Sequence, residues 1–254
     1  MSITDEQFVS EYLNRIGYDG SRVPCLDTLI ELQRLHVYHI LFENLDLLSD
    51  SFTPNLDKEY LFDKIVKRHR GGVCYELNTS FYNLLTAMGF SACQISGTVQ
   101  PSENLFSHVS TLVHLEDGDY IADVGFGDAY LPVLKLNGTP CAHYNGYDYS
   151  MKHLRENIYD IMARRPGEEP VRMYTIALTP RKMSDYFGRF DWASAKGNTV
   201  FSEYPICVMQ TPDQRITLRR GKLVIAENDN VIETRPVSPG EETDFILREY
   251  FNLP

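Results

Sequence analysis

Apolar positions recur at helical spacing through the first third of the chain. Phe8, Leu13 and Ile16 share one helix face, Thr4 and Gln7 stand at capping-box spacing before them, and Gly17 supplies a stop. A second helical pattern runs over about 28–39. A third follows Asp57 and includes Tyr60, Leu61, Ile65 and Val66. The fourth begins near Cys74, carries Leu77, Phe81, Leu84, Leu85 and Met88 on one side, and ends at Gly89.

The pattern changes after Gly89. Segments 92–99, 109–116 and 120–124 favour strands, and Asp117-Gly118 is a hairpin signal. Two further strands, 158–163 and 171–178, are joined through Pro166-Gly167, and Thr179-Pro180 then predicts the start of a short helix. Strands at 206–210, 215–218 and 223–227 follow, with turns at Arg220-Gly221 and 228–230. The chain closes on a helix with Ser238 as cap, Pro239 at its first position and Glu241 completing a capping box. Helices, then strands, then a mixed segment describe an α+β protein divided at 1–89, 90–180 and 181–254.

Charge and composition narrow the function. A net charge of −11 over 254 residues argues against a general nucleic-acid or anionic-membrane binder, although a local basic patch is compatible with it. The opening residues MSITDEQF lack the basic and apolar parts of a secretory signal, and no apolar run reaches the length of a membrane span. The five cysteines are odd in number, scattered and free of any CxxC pair, which fits neither a disulfide framework nor a zinc site. A cytoplasmic protein with free thiols and no metal is expected.

One cysteine has a distinctive setting, Arg70-Gly71-Gly72-Val73-Cys74-Tyr75-Glu76-Leu77-Asn78. The glycines permit a sharp turn, and Cys74 falls where the fourth helix starts. Unpaired N–H groups and the positive end of the helix dipole favour a thiolate there, and Lys67, Arg68 and Arg70 add positive charge in sequence. Most free cysteines are small buried hydrophobes, and cations often close a preceding helix, so chemistry alone leaves both readings open. The other four cysteines read as structural.

A cysteine nucleophile needs a base and a group to orient it. His108 opens a strand, and Asp123 ends another just before Gly125 and Gly127. A two-residue turn at Asp117-Gly118 would set Asp123 opposite Leu112. His108 would lie on the same sheet face but roughly 13 Å away. The two meet only if the sheet coils, a bulge intervenes, or the segment after Ala122 folds back.

The run RGGVCYELN resembles the active-site signature R-G-G-x-C-x-E-x-N of the arylamine N-acetyltransferases. Phe42-Glu43-Asn44-Leu45 resembles that family's F-E-N-L element, and residues 107–127 its histidine strand followed by D-V-G-F-G. The resemblance implies an N-terminal helical bundle, a central β-barrel and a C-terminal α/β lid, with a cysteine-protease-like Cys74–His108–Asp123 triad shared by the first two. It implies ping-pong acetyl transfer from acetyl-CoA through a Cys74 thioester to an arylamine, arylhydrazine or arylhydroxylamine, with no metal. His108 draws the thiol proton, Asp123 fixes the imidazole, and backbone N–H groups including that of Cys74 meet the oxyanion. Phe126, Ser107 and Phe42 are expected at the acceptor, Asn104 and Leu105 at CoA, and Arg70 and Glu43 as a supporting ion pair.

The resemblance thins in the last segment, where Ser202 and Pro205 alone align with the family pattern, which leaves the CoA contacts there open. Two other classes use the same constellation: a papain- or transglutaminase-like thiol hydrolase, and a catalytically altered homologue acting as a binding module.

Overall fold

The amphipathic faces of the N-terminal third pack against one another. The structure, a computed structural model, describes residues 4–99, 106–127, 132–138, 141–144, 146–227 and 230–253. Helix α1 (Asp5–Ile16) is capped by Thr4, whose hydroxyl accepts the Gln7 N–H, and it stops at Gly17 with φ 72°. Helix α2 (Leu26–His39) leads into a short strand β1 (Phe42–Glu43). Helix α3 (Lys58–Leu61) runs on as a π-helical turn, Phe62–Lys67, which buries Phe62, Lys64, Ile65 and Val66 together. Helix α4 (Cys74–Ala87) crosses this layer, and Phe8, Leu32, Ile65, Phe81 and Leu84 meet in one core.

Strands follow as β2 (Ser91–Thr98), β3 (His108–Leu115), β4 (Gly118–Ala122), β5 (Leu134–Lys135), β6 (Ala142–Tyr144), β7 (Tyr147–Arg155), β8 (Ile158–Arg164) and β9 (Val171–Arg181). They form one antiparallel sheet in the order β5-β4-β3-β2-β9-β8-β7-β6. The sheet curls into an almost closed barrel, and beside its two ends the Lys135 N–H reaches the Cys141 carbonyl at 3.2 Å. The period of two divides it cleanly. Leu112 and Ile121 turn to the barrel interior with Tyr174 and Ile176, whereas Val113 and Tyr120 join the helical core.

One expectation is corrected here, and several strands were not foreseen. The chain at Thr179-Pro180 does not start a helix; it continues β9, and Pro180 pairs with Ile95 where the register slips, a place that tolerates a missing N–H. Helix α5 (Ser184–Ser194) begins beyond it. Strands β5 to β7 went unread because β5 and β6 are very short and β7 alternates only over Tyr147, Tyr149 and Met151 before an exposed second half.

The last segment builds β10 (Ile206–Gln210), β11 (Gln214–Arg219), β12 (Lys222–Glu227) and β13 (Asn230–Pro236), then α6 (Glu241–Phe251). The turn expected at 228–230 lies mostly outside the described residues, and β13 was not foreseen. Helix α6 starts two residues later than predicted. Gly240, at φ 90°, takes the cap position, and Ser238 lies outside with its N–H held by Glu242 at 2.8 Å. The sheet order is β1-β10-β11-β12-β13, so a strand from the first third edges a sheet made by the last. Asn44 fastens the junction. Its amide donates to the Phe201 and Tyr204 carbonyls and accepts the Ile206 N–H at 2.6 Å. Among the described residues no helix is long and apolar enough to cross a membrane.

Inside the helical core, His36 is fully buried between Tyr12 and Phe81, and neither ring nitrogen has a hydrogen-bond partner. Burial, helped by the charge of Arg15, pushes its pKa down to about 3. The unfolded chain therefore takes up this proton first, so the linked stability is present above about pH 6.5 and falls as pH drops towards 3. Between about pH 6 and 4 the unfolding free energy of the native protein should fall more steeply than that of a His36→Leu variant. The difference should approach ~1.4 kcal/mol per pH unit. Equal slopes in denaturant titrations would contradict a neutral buried His36.

Candidate active site

Close backbone approaches shape the loop before α4. A side chain on Gly71 would meet the Leu41 carbonyl oxygen at 2.1 Å, and one on Gly72 would meet the buried Glu76 carboxylate at 2.7 Å. Cys74 is the first residue of α4, after Val73 as cap. Only half a capping box forms, because valine offers no side-chain acceptor; Glu76 reaches back to the Val73 N–H at 3.0 Å.

The carboxylates under the loop are held by two cations. Lys64 Nζ donates to Glu76 at 2.7 Å and contacts Asp46 at 2.9 Å, while Arg70 binds Glu43 at 2.8 Å and Asp46 at 3.0 Å. The second Glu43 oxygen accepts the Leu45 N–H. Burial alone would lower the Lys64 pKa, but Glu76, Glu43 and Asp46 outweigh it and hold the ammonium charged. Lys64 was not foreseen from the sequence. Lys67 and Arg68, expected to bring positive charge to Cys74, instead pair with Glu11 and Asp63 on the outside of the helical layer. Proximity in sequence was misleading because Lys67 ends the π turn and Arg68 caps it, and both reach carboxylates of the helical layer.

The hairpin carrying His108 and Asp123 differs from the expected one by one position, and that resolves the distance problem. Glu116 and Asp117 form the two-residue connection, Leu115 pairs with Gly118, and Thr111 pairs with Ala122. Continuing this register puts Asp123 level with Ser110 rather than Leu112, only two residues from His108 and on the same face. Gly118, at φ 139°, opens β4 directly after this connection in a conformation that favours glycine. Asp123 Oδ2 then meets His108 Nε2 at 2.6 Å, with both side chains buried.

Asp123 gathers further donors. Tyr174 donates its hydroxyl at 2.7 Å, Ser110 at 3.2 Å, Asn78 its amide at 2.9 Å, and Gly125 its N–H at 2.9 Å. Asn78 also accepts the Val124 N–H and donates to the Val109 carbonyl, so α4 is pinned to both strand ends. Gly125 must be bare, since a side chain there would lie 2.9 Å from the Cys74 Cα. Nε2 is committed to Asp123, and Cys74 is close enough to the His108 ring to favour its charged form. Burial disfavours the charged ring, but Asp123 foremost and then Cys74 reverse this and raise the His108 pKa to about 10. Asp123 itself is held below its usual range: burial opposes this, and His108, Asn78 and Tyr174 prevail.

A cleft of about 760 Å³ opens over Cys74 and His108 and is lined also by Phe42, Ser107, Phe126 and Phe201. Phe126 stacks on Tyr174 with centroids 5.2 Å apart and meets the His108 ring edge-on. The Ser107 hydroxyl is already used, accepting the Val99 N–H at 3.2 Å. Asn104 and Leu105 lie outside the described residues. The other thiols are Cys141 and Cys207, both buried, the half-buried Cys93, and Cys25, which is exposed ahead of α2. Sequence reasoning missed Tyr174, Ser110 and the work of Asn78. Of these Asn78 alone had a signal, as a fixed position of the cysteine motif.

Comparisons with known proteins concur on one family. A family profile described as N-acetyltransferase matches residues 25–254. The arylamine N-acetyltransferase of Mycolicibacterium smegmatis is 30% identical over 251 residues, covering 94% of this chain and 90% of that protein. The structure of the Salmonella typhimurium arylamine N-acetyltransferase superposes with a TM-score of 0.89 at 26% identity, covering 99% of this chain and 92% of that one. The Mycobacterium marinum enzyme, solved in complex with CoA, superposes at 0.87 and 26% identity over 96% of this chain and 92% of its own. With the profile spanning nine-tenths of its length and both relatives and folds in accord, the chain belongs to the arylamine N-acetyltransferase family.

Proposed function

We propose that this protein transfers an acetyl group from acetyl-CoA to an aromatic amine or hydrazine through a thioester on Cys74. The observation that carries the reading is the buried His108–Asp123 pair at 2.6 Å, which presents a charged imidazole to a cysteine at a helix N-terminus on the floor of an open cleft. His108 is the counter-ion of the sulfur nucleophile. Cys74 sulfur attacks the thioester carbonyl carbon, and backbone N–H groups at the start of α4, including that of Cys74, meet the oxyanion. The bond to the CoA sulfur breaks, CoA leaves with the proton His108 gives it, and acetyl-Cys74 remains. The acceptor nitrogen then attacks this carbonyl, His108 takes the nitrogen's proton, and the Cys74 thiolate departs. Asp123 orients the ring and stabilises its charged form throughout.

Phe126 and Phe42 are assigned to the flat acceptor, because both line the cleft and Phe126 is braced from behind by Tyr174. Arg70 and Glu43 support the cysteine loop. Segments 1–89 and 90–180 contribute the triad, and 181–254 acts as the lid, its α5 and β11 forming part of the cleft wall. Free cysteines suit the cytoplasm.

Incubation with acetyl-CoA alone should add one acetyl mass to the intact protein, located on Cys74 after digestion and removed by an arylamine chase. Cys74→Ser should stay unmodified. Acetylation elsewhere, or none, would sink the reading, and p-nitroaniline release from peptides without acetyl-CoA would favour a thiol hydrolase. Phe126→Ala should raise the KM for an arylamine while acylation by acetyl-CoA changes by less than about twofold; equal losses in both half-reactions would place Phe126 elsewhere in the reaction. Glu43→Gln should lower the melting temperature as well as the acylation rate, with a cost of about 3–5 kcal/mol for breaking a buried pair. Normal melting with lost acylation would count against a supporting role.

A further inference from the structure

Asp123 lies past the last paired residues of β4. The ladder with β3 ends where Thr111 pairs with Ala122, and the one with β5 where Leu134 pairs with Ile121. The N–H groups of residues 123–125 are buried and have no strand to donate to, so they need other acceptors. Each goes to a side chain. Gly125 donates to Asp123 Oδ1 at 2.9 Å, Val124 to Asn78 Oδ1 at 2.9 Å, and Asp123 itself to Gln33 Oε1 at 3.0 Å. Asn78 is a fixed position of the cysteine motif. Gln33 comes from α2, outside every motif, and no step of acetyl transfer uses it.

The buried stripe of α2 runs through Leu29, Leu32, Gln33 and His36. Apolar residues ordinarily fill such a stripe, yet Gln33 is fully buried in it. A buried amide is tolerated only where its polar atoms are paired, and here the side-chain oxygen is paired with one particular N–H. That N–H belongs to the residue whose carboxylate holds His108. Around the carboxylate, His108, Ser110, Tyr174 and Asn78 fix where its oxygens point. Gln33 acts on the opposite end of the same residue and fixes the main chain from which the carboxylate projects.

We propose that Gln33 is a positioning residue for acylation of Cys74: by holding the Asp123 N–H, its side-chain oxygen fixes the main chain that aims the carboxylate at His108. This rests on the Cys74 thioester reading. Gln33 does not line the cleft, so its effect on the reaction passes through Asp123. With Oε1 removed, the Asp123 N–H is left buried and unpaired, and the end of β4 shifts to find another acceptor. The 2.6 Å contact to His108 has no slack for such a shift, since a misplacement of about 1 Å can slow a reaction by about a hundredfold. A longer contact also weakens the hold of Asp123 on the ring proton and lets burial count for more.

The test compares Gln33→Met, which keeps the length and removes the acceptor, with Gln33→Glu, which keeps the oxygen and removes the amide N–H. The readouts are the rate constant and half-saturating acetyl-CoA concentration for Cys74 acylation, NMR titration of the His108 ring, and the melting temperature. Gln33→Met should acylate about tenfold more slowly with half-saturation nearly unchanged, and its His108 should lose its proton at lower pH than in the native protein. Gln33→Glu should bring both back, the rate to within about threefold of native. Native-rate acylation by folded Gln33→Met overturns the assignment. A slow Gln33→Met whose His108 titrates as in the native protein also overturns it, because that is the mark of packing alone. So does a folded Gln33→Glu as slow as Gln33→Met. Should Gln33→Glu not fold, Gln33→His takes its place, because a neutral ring nitrogen can accept the same N–H without adding charge. If the native protein is not acylated by acetyl-CoA, the acetyl-transfer reading itself fails; native acylation with an indifferent Gln33→Met removes the role of Gln33 alone.

Discussion

One buried carboxylate joins the two halves of the site. Asp123 stands just past the end of β4 and accepts hydrogen bonds from His108 on β3, Tyr174 on β9, Asn78 on α4 and the Gly125 N–H in its own loop. A charge buried to this extent is tolerable only when its lone pairs are filled, and these donors come from three separate elements. Their convergence fixes where the helix bearing Cys74 meets the strand bearing His108. The same carboxylate keeps the imidazole protonated, so positioning and electrostatics have a single source.

A second buried charge group does comparable work beneath the nucleophile. Lys64 and Arg70 neutralise Glu43, Asp46 and Glu76, and these carboxylates in turn hold the N–H groups of Leu45 and Val73. The loop thus stays tight although its two glycines leave it little side-chain packing. Asn44, next to Glu43, ties the same region to the last segment through three backbone groups. The cleft wall supplied by that segment is therefore set relative to Cys74 by the F-E-N-L stretch.

How much of this was legible depends on how local each signal is. Cys74 could be read because a helix start, two glycines and a motif are all contiguous in sequence. The helices and the longer strands could be read because their apolar faces repeat. His108 and Asp123 are different. Their approach depends on the register of a hairpin, and moving its connection from Asp117-Gly118 to Glu116-Asp117 shifts the partner of Asp123 from Leu112 to Ser110. Tyr174 lies fifty-one positions beyond Asp123, and only barrel closure brings it to the carboxylate. Charge proximity in sequence pointed to Lys67 and Arg68, whereas in space Lys64 is the lysine beneath the cysteine loop.

The account depends on Asp123 controlling the His108 proton, and NMR titration of the His108 ring measures this directly. In the native protein the ring should stay protonated until pH nears about 10. In Asp123→Asn the carboxylate is gone and burial dominates, so the ring should lose its proton below the ordinary histidine value of about 6.5. A native pKa near 6.5, or one that the substitution leaves in place, would contradict the central role given to this carboxylate.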